Sequence, residues 1–169
     1  MYRTEHDLVG EKQIDQEAYY GIHSLRAAEN FPITNQRLPG AMIVSMAWIK
    51  KACARANRMA GVLPGRIADA IERACDDLIA GKLHDQFIVD PIQGGAGTST
   101  NMNANEVIAN RAIELLGGKK GDYSLVHPND HVNCGQSTND IYPTCVKMTL
   151  FRACESLLDG LDVLIGALS

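Results

Sequence analysis

The sequence has 169 residues, of which 46% are hydrophobic and 21% charged, and its net charge is −4 at pH 7. This composition is typical of one globular domain with a substantial core, and the acidic balance argues against nucleic-acid binding, which needs clustered basic residues. No apolar run approaches the roughly 18 residues of a membrane span, and the polar first ten residues lack the apolar segment of a signal peptide.

The first 30 residues are polar and predict irregular structure, with turn points at Gly10 and Gly21 and a short β-hairpin from Asp7 to Asp15. Aromatic residues make up only 5% of the chain, so the core must be built from aliphatic side chains. Such a core suits packed helices better than a β-sandwich. We therefore expect a mainly α fold in which an irregular or hairpin start precedes a small helical domain.

Three helices are predicted next, each bounded by proline or glycine. The first runs from about Ala41 to Ala60, the second from Pro64 to Gly81, and the third from the loop at residues 94–100 to Gly117. In the second and third, apolar residues recur every three or four positions and predict one buried stripe each. The stripes comprise Ile67, Ile71, Ala74 and Leu78, and Ala104, Ile108, Ala112 and Leu115. The adjacent Lys50 and Lys51 of the first helix are interpreted as solvated surface charges.

The last segment predicts one long bundle helix. From Asp140 to Leu168 apolar residues step by four and three, a seam of roughly 40 Å at 1.5 Å per residue. Pro143 falls in the first turn, where its missing N–H is harmless. No C-cap follows, and the shorter helices can hardly cover this stripe. We predict a domain at residues 1–139 followed by the start of a central helical bundle at residues 140–169, in a chain that is truncated, oligomeric or both.

Two loops place polar side chains at the start of a helix, at residues 93–103 and 134–140. A helix N-terminus offers unpaired N–H groups and a partial positive charge, to which Ser, Thr and Asn add donors. Helix capping alone also explains either loop. Two such loops, each richer than one cap requires, favour a site for a carboxylate or phosphate. The first loop lacks the GK[ST] ending of a nucleotide-binding loop.

Between these loops, His127, His131 and Cys134 are spaced like zinc ligands. Only three such ligands are clustered, and Pro128 disfavours a regular helical pair. The pattern therefore favours a hydrogen-bonded turn or a second anion site, with zinc as the lesser alternative, and we predict no metal site. Five cysteines without CxxC spacing indicate reduced thiols and a cytoplasmic location.

Three blocks of the sequence resemble the aspartase/fumarase superfamily, in one order and spacing over essentially the whole chain. Residues 94–107 (GGAGTSTNMNANEV) resemble its first block, and HPNDHVN at residues 127–133 with QSTND at residues 136–140 resembles its second. Residues 19–27 (YYGIHSLRA) are similar to the aspartase branch in particular, as is His131, where class II fumarases typically carry Asp.

The resemblance implies a reaction and roles for individual residues. The reaction is the anti elimination of ammonia from L-aspartate to give fumarate, through an aci-carboxylate intermediate. Thr98, beside Gly97, matches a residue that contacts a substrate carboxylate. Ser137 and Thr138 match the pair that clamps the carboxylate next to the carbon that loses its proton. The remaining matches are Asn139, near the substrate amino group and one carboxylate, and Arg26, an arginine implicated in aspartase activity.

The resemblance also implies a secondary anion site and several missing parts. His127, Asn129 and Asp130 match the secondary site, although Ser124 stands where its arginine is expected. The family's base is a serine in a GSSxMPxKxNP loop, which does not occur in this sequence. Because family active sites are assembled from three subunits of a homotetramer, the isolated chain is expected to be inactive. No cofactor is required, and activation by a divalent cation is left open.

Two other functions are weighed against this one. A class II fumarate hydratase would eliminate water instead of ammonia from a similar dicarboxylate. A non-catalytic helical module for binding or assembly would use the same loops merely to cap its helices.

Overall fold

Helical segments separated by glycine- and proline-rich turns make up most of the computed structural model, which describes residues 1–168. This confirms the predicted mainly α fold. Short turns of 3-10 helix at His84–Gln86 and of π-helix at Pro128–Val132 join the longer elements. The elements in chain order are β1 (Tyr2–Asp7), β2 (Gly10–Asp15), α1 (Ile22–Asn30), α2 (Gly40–Met59), α3 (Gly65–Ile79), α4 (Thr98–Leu115) and α5 (Thr138–Leu168).

Helix α4 lies at the centre of the molecule and is buried on nearly all sides. It contacts α1, α2, α3, α5 and the π-helical turn. Its buried residues include apolar Val107, Ile108 and Ile113, which pack in one core with residues of α2 and α3. In the predicted stripes Ala104, Ile108, Ala112, Ile71, Ala74 and Leu78 are buried, whereas Leu115 and Ile67 lie half-buried at their ends. The stripes therefore face the core as the sequence indicates.

The prediction of irregular structure over the first 30 residues is wrong. β1 and β2 form an antiparallel hairpin with Tyr2 opposite Asp15, so the predicted hairpin exists but starts at Tyr2. Gly21 does not merely turn the chain, because it immediately precedes α1. The nine-residue α1 buries few residues of its own. A helix this short is not stable on local propensity alone, so no local pattern could indicate it.

Two carboxylates from other elements stabilise the start of α1. Glu106 of α4, fully buried, accepts the backbone N–H groups of Gly21 (2.9 Å), His23 (2.9 Å) and Ser24 (3.1 Å). Glu5 of β1 accepts the N–H of Ile22 at 2.9 Å. Negative charge at a helix N-terminus satisfies orphan donors and interacts favourably with the helix dipole. The long-range carboxylates thus replace the side-chain cap that Gly21 cannot supply.

Helix α5 packs on the rest of the molecule only through its first turns. Ile141 and Cys145 are buried, and α5 contacts α2 and α4 there. Beyond Thr149 the side chains are exposed, including the predicted Leu150, Leu157, Leu161, Leu164 and Leu168. The long helix is confirmed, and the boundary between residues 139 and 140 stays a prediction. No helix within residues 1–168 combines the length and apolarity needed to cross a membrane.

The close approach at Gly21 generates a stability prediction. A Cβ there would lie 2.5 Å from Tyr123 Oη and 2.7 Å from Glu106 Cδ. Overpacking of this kind typically destabilises by about 1–3 kcal/mol. We expect Gly21→Ala to lower the free energy of urea-induced unfolding by that amount. Gly160→Ala, in the exposed part of α5 with no atom within 4 Å, is the control and should be neutral or stabilising by up to about 1 kcal/mol. Equal stability of the two variants would contradict the close packing of Gly21 against Tyr123 and Glu106.

Candidate carboxylate-binding site

In the first polar loop, the residue just before α4 is a glycine that the structure requires. Gly97 precedes α4 with a φ of +87°, a backbone conformation that side chains with a Cβ rarely adopt. It also lies against the ring of Tyr142, because a Cβ on Gly97 would be 2.2 Å from Tyr142 Cγ. Thr98, the first residue of α4, is exposed. The contact places the start of α5 directly beside the start of α4.

The second polar loop leads into α5 through Ser137, Thr138 and Asn139. Ser137 Oγ accepts the N–H of Asn139 at 3.2 Å, and Ser137 O accepts the N–H groups of Asp140 and Ile141. Ser137 therefore caps α5, as the interpretation of this loop as a helix cap predicts. Ser137 and Asn139 nevertheless remain exposed, so their polar groups are accessible to a ligand.

Asn101, which the sequence analysis did not single out, joins the two loops. It is buried on α4, one turn beyond Thr98. Its Nδ2 donates to Thr138 Oγ1 at 2.9 Å and to Asn133 Oδ1 at 3.1 Å. The two loops therefore lie together within one subunit. Because two helix N-termini meet here, their partial positive charges converge on one surface, an arrangement suited to a carboxylate.

Arg26 lies near Thr98 but is already paired. Both residues line a groove of about 290 Å³ between α1, α4 and the hairpin. The Arg26 guanidinium donates to Asp7 Oδ2 (2.8 Å) and Oδ1 (3.0 Å) and to Gly10 O (3.1 Å). This hydrogen bonding lowers the pKa of Asp7 below its usual value. In this arrangement Arg26 holds the hairpin turn at the edge of the groove, and binding a ligand directly would require it to leave Asp7.

His23 borders the same groove and connects it to the buried carboxylate. Its Nδ1 lies 3.0 Å from Glu106 Oε1, and the ring is about half exposed. The hydrogen bond to Glu106 raises the pKa of His23 above its ordinary 6.5, against the opposing effect of burial. The expectation that His23 is a hydrogen-bonded structural residue agrees with these contacts.

The residues matched to a secondary anion site form a hydrogen-bonded turn. His127 Nδ1 accepts the N–H groups of Asn129 and Asp130, each at 3.2 Å, and His131 Nδ1 accepts the N–H of His127 at 2.8 Å. An anion would have to displace the imidazole to reach those N–H groups. Ser124 Oγ instead donates to Asp122. The secondary site stays a prediction.

The alternative of a zinc site finds no support in this geometry. Nδ1 of His127 and of His131 both serve as acceptors for backbone N–H groups. Over residues 1–168, no three His, Cys, Asp or Glu side chains are grouped so that they could hold a metal ion.

The interpretation of Lys50 as a solvated surface charge is wrong. Its side chain is completely buried, and Nζ donates to Asn133 Oδ1 (2.9 Å) and Gln136 Oε1 (2.8 Å). Burial lowers its pKa to about 7. Lys51, by contrast, pairs with Asp76 at the surface. Successive residues on a helix point about 100° apart, so two adjacent lysines need not share an environment.

Comparison with known proteins is decisive for the family. A protein-family model described as "Lyase" matches residues 10–169. The chain belongs to this lyase family. It is 55% identical over 161 residues to the aspartate ammonia-lyase of Bacillus subtilis, covering 95% of this chain and 34% of that protein. The Escherichia coli aspartate ammonia-lyase is 47% identical, covering 96% of this chain and 34% of its own length. The lyase chain thus spans about a third of the curated relatives it matches.

Solved structures agree with this family assignment. A Brucella melitensis structure titled fumarate lyase:delta crystallin, bound to cobalt, has a TM-score of 0.97 and 51% identity over 99% of this lyase chain and 37% of that one. A class II fumarase from Schistosoma mansoni has a TM-score of 0.84 and 38% identity over 88% of this chain and 32% of its own. The family resemblance inferred from the three sequence blocks is confirmed.

The His23–Glu106 pair predicts a pH dependence of stability. A folded-state pKa above the unfolded value means that the pair's stabilisation is complete below pH 6.5 and is lost as the pH rises through the folded pKa. We expect the free energy of unfolding of the wild-type chain, relative to His23→Gln, to fall as pH rises from about 5 to about 9. Urea denaturation across this range measures it. A parallel pH profile for His23→Gln would refute the pair's role, and His6→Gln on the exposed hairpin controls for the loss of a histidine.

Proposed function

We propose that this chain is the amino-terminal part of an aspartate ammonia-lyase, which converts L-aspartate to fumarate and ammonia. The observation that carries the proposal is the meeting of the α4 and α5 N-termini, joined by the hydrogen bond from Asn101 to Thr138. The aspartate ammonia-lyases of Bacillus subtilis and Escherichia coli, at 55% and 47% identity, support the choice of reaction.

The proposed reaction places negative charge where donors are available. A base removes a proton from C3 of L-aspartate, and the electron pair of the broken C3–H bond moves into the neighbouring carboxylate, which becomes a dianionic aci-carboxylate. That pair then returns to form the double bond between C2 and C3 as the C2–N bond breaks and its electrons leave on nitrogen. The hydroxyl groups of Ser137 and Thr138, at the positive end of α5, would stabilise that charge, and one preorganised donor contributes about 3 kcal/mol to such a step.

Other residues would orient the substrate. Thr98, beside Gly97, would contact the second carboxylate, and Asn139 would lie near the amino group. Arg26 would act through the hairpin turn that it holds by Asp7 and Gly10. Fixing both ends of a dicarboxylate brings C3 to a base without the entropic loss of a free encounter.

We propose that the base and the remaining groups are supplied by the rest of the polypeptide in a cytoplasmic homotetramer whose subunits share each active site, so that the isolated chain is inactive. The exposed leucine stripe of α5 supports this, because such a surface is normally covered by other helices. No step of the proposed elimination requires a cofactor, and adding divalent cations to the assay tests for activation.

Fumarase activity is the closest alternative, in which water leaves instead of ammonia. The Schistosoma mansoni fumarase is 38% identical to this chain, whereas the aspartate ammonia-lyases named above reach 47–55%. Formation of fumarate can be followed by its ultraviolet absorbance from L-aspartate and, separately, from L-malate. We expect activity of the complete enzyme on L-aspartate; activity on L-malate alone would establish the hydratase, and activity on neither would favour a non-catalytic module.

Substitutions at the two helix starts test the proposed site. In the complete enzyme carrying this chain, we expect Ser137→Ala and Thr98→Ala each to lower kcat/KM for L-aspartate by about a hundredfold or more, because each removes a donor to a carboxylate. Thr4→Ala, on the exposed face of the hairpin, is the control and should behave as wild type. Because Ser137 also caps α5, its variant should lose about 1 kcal/mol of stability; folded variants with unchanged kinetics would refute the assignment.

A further inference from the structure

A lysine side chain is buried directly beneath the loop that carries the proposed carboxylate clamp. Lys50 of α2 has no exposed surface, and its hydrogen-bond acceptors are the neutral amide oxygens of Asn133 and Gln136. Within residues 1–168 no carboxylate pairs with Lys50. Burying an ammonium group without a counter-ion costs several kcal/mol. A charge in that position therefore requires a physical explanation.

The loop is built around this ammonium group. Besides binding Lys50, Gln136 donates through Nε2 to Val132 O at 2.8 Å, and Asn133 donates through Nδ2 to Gln136 O at 3.1 Å. Asn57 of α2 donates to Cys134 O at 2.8 Å. Ser137 directly follows Gln136 in the chain. Lys50 thus ties the backbone that immediately precedes the clamp to the rigid surface of α2.

A continuous path of hydrogen bonds leads from Lys50 to the clamp itself. Lys50 Nζ and Asn101 Nδ2 donate to the same oxygen, Asn133 Oδ1, and Asn101 Nδ2 also donates to Thr138 Oγ1. Removing Lys50 would leave Gln136 Oε1 without its donor and would leave Asn133 Oδ1 held only by Asn101 Nδ2. The position of Thr138 therefore depends on Lys50 through two intermediates.

We propose that Lys50 is a positioning residue, which orients the 133–138 loop and whose buried positive charge is balanced by the carboxylate bound at Ser137 and Thr138. This inference rests on the proposed function for the identity of the anion. The positioning part can be tested without substrate.

The surroundings of Lys50 make its charge responsive to an anion. The titratable groups that face it are the thiols of Cys53 on α2 and Cys75 on α3, and burial raises the pKa of both. The loop and α4 present only amides, those of Asn101, Asn133 and Gln136. With a pKa of about 7, Lys50 is only partly protonated near neutrality, and a carboxylate nearby favours its charged form.

The first test uses the 169-residue chain itself. Lys50→Met keeps an unbranched side chain that is one atom shorter and removes its donors, while Lys51→Met removes the neighbouring surface charge. Leaving a buried acceptor unsatisfied costs about 1–3 kcal/mol, so backbone amide hydrogen exchange at residues 133–139 should be at least about tenfold faster in folded Lys50→Met. Lys51→Met should match wild type. Unchanged exchange in this loop in folded Lys50→Met would overturn the positioning role.

A second variant tests the charge, and it also removes the hydrogen bond that Gln136 Nε2 donates to Val132 O. Gln136→Glu supplies a carboxylate of the same size within hydrogen-bond reach of Lys50. We expect the side-chain pKa of Lys50, followed by heteronuclear NMR, to rise well above its wild-type value. If Lys50→Met fails to fold, this variant still decides the question. A Lys50 pKa that does not respond to Gln136→Glu would overturn the idea that an anion balances the charge.

Kinetics of the complete enzyme separate this inference from the proposed function. We expect Lys50→Met to lower kcat/KM for L-aspartate at least about tenfold, the equivalent of 1.4 kcal/mol, and to remove a wild-type pH-profile limb near 7. Gln136→Glu should act chiefly by raising KM, because the internal carboxylate competes for the charge.

A wild-type enzyme inactive on aspartate would refute the function and leave the exchange result standing. An active enzyme whose Lys50→Met variant has unchanged kinetics and pH profile would refute the role of Lys50.

Discussion

One buried carboxylate holds α1 and the hairpin against the candidate site. Glu106, in the middle of α4, accepts three backbone N–H groups from the start of α1, together with the hydroxyl of Ser24 and Nδ1 of His23. A fully buried charge is tolerated only when it is satisfied in this way. In return, α1 gains a hydrogen-bond acceptor and a negative charge at its N-terminus, the positive end of its dipole. Through α1, the hairpin and the Asp7–Arg26 pair are brought to the groove beside Thr98.

The same central helix organises the other side of the site with a neutral amide. Asn101, five residues before Glu106, reaches Thr138 at the start of α5 and Asn133 in the preceding loop. Beneath them, Lys50 Nζ donates to the same oxygen of Asn133. A helix that is hydrophobic on every face could fill the same core, but it could not fix the positions of the first residues of α1 and α5. Buried hydrogen bonds are directional and so define one arrangement.

The parts of the fold that local pattern determines were predictable. Helices α2, α3 and α4 begin and end close to proline or glycine residues, and their ends lie within one or two residues of the predicted ends. The apolar stripes through Ile71 and Ile108 face the core, as predicted. The parts that depend on distant partners were not. α1 has too few buried residues to show a stripe, and its caps come from positions 5 and 106. Lys50 looked like a surface charge because burial depends on which side of α2 meets the loop.

By itself, the sequence determined that this is a mainly helical member of a lyase family with two donor-rich helix starts, since turn residues, apolar period and block motifs are local properties of the chain. Tertiary structure alone decided that those two starts meet, that Arg26 is held by Asp7, and that Asn101 and Lys50 connect to the loop before α5. These contacts join residues 19 to 86 positions apart. Their formation depends on how the helices pack, and helix packing is not encoded in any single segment.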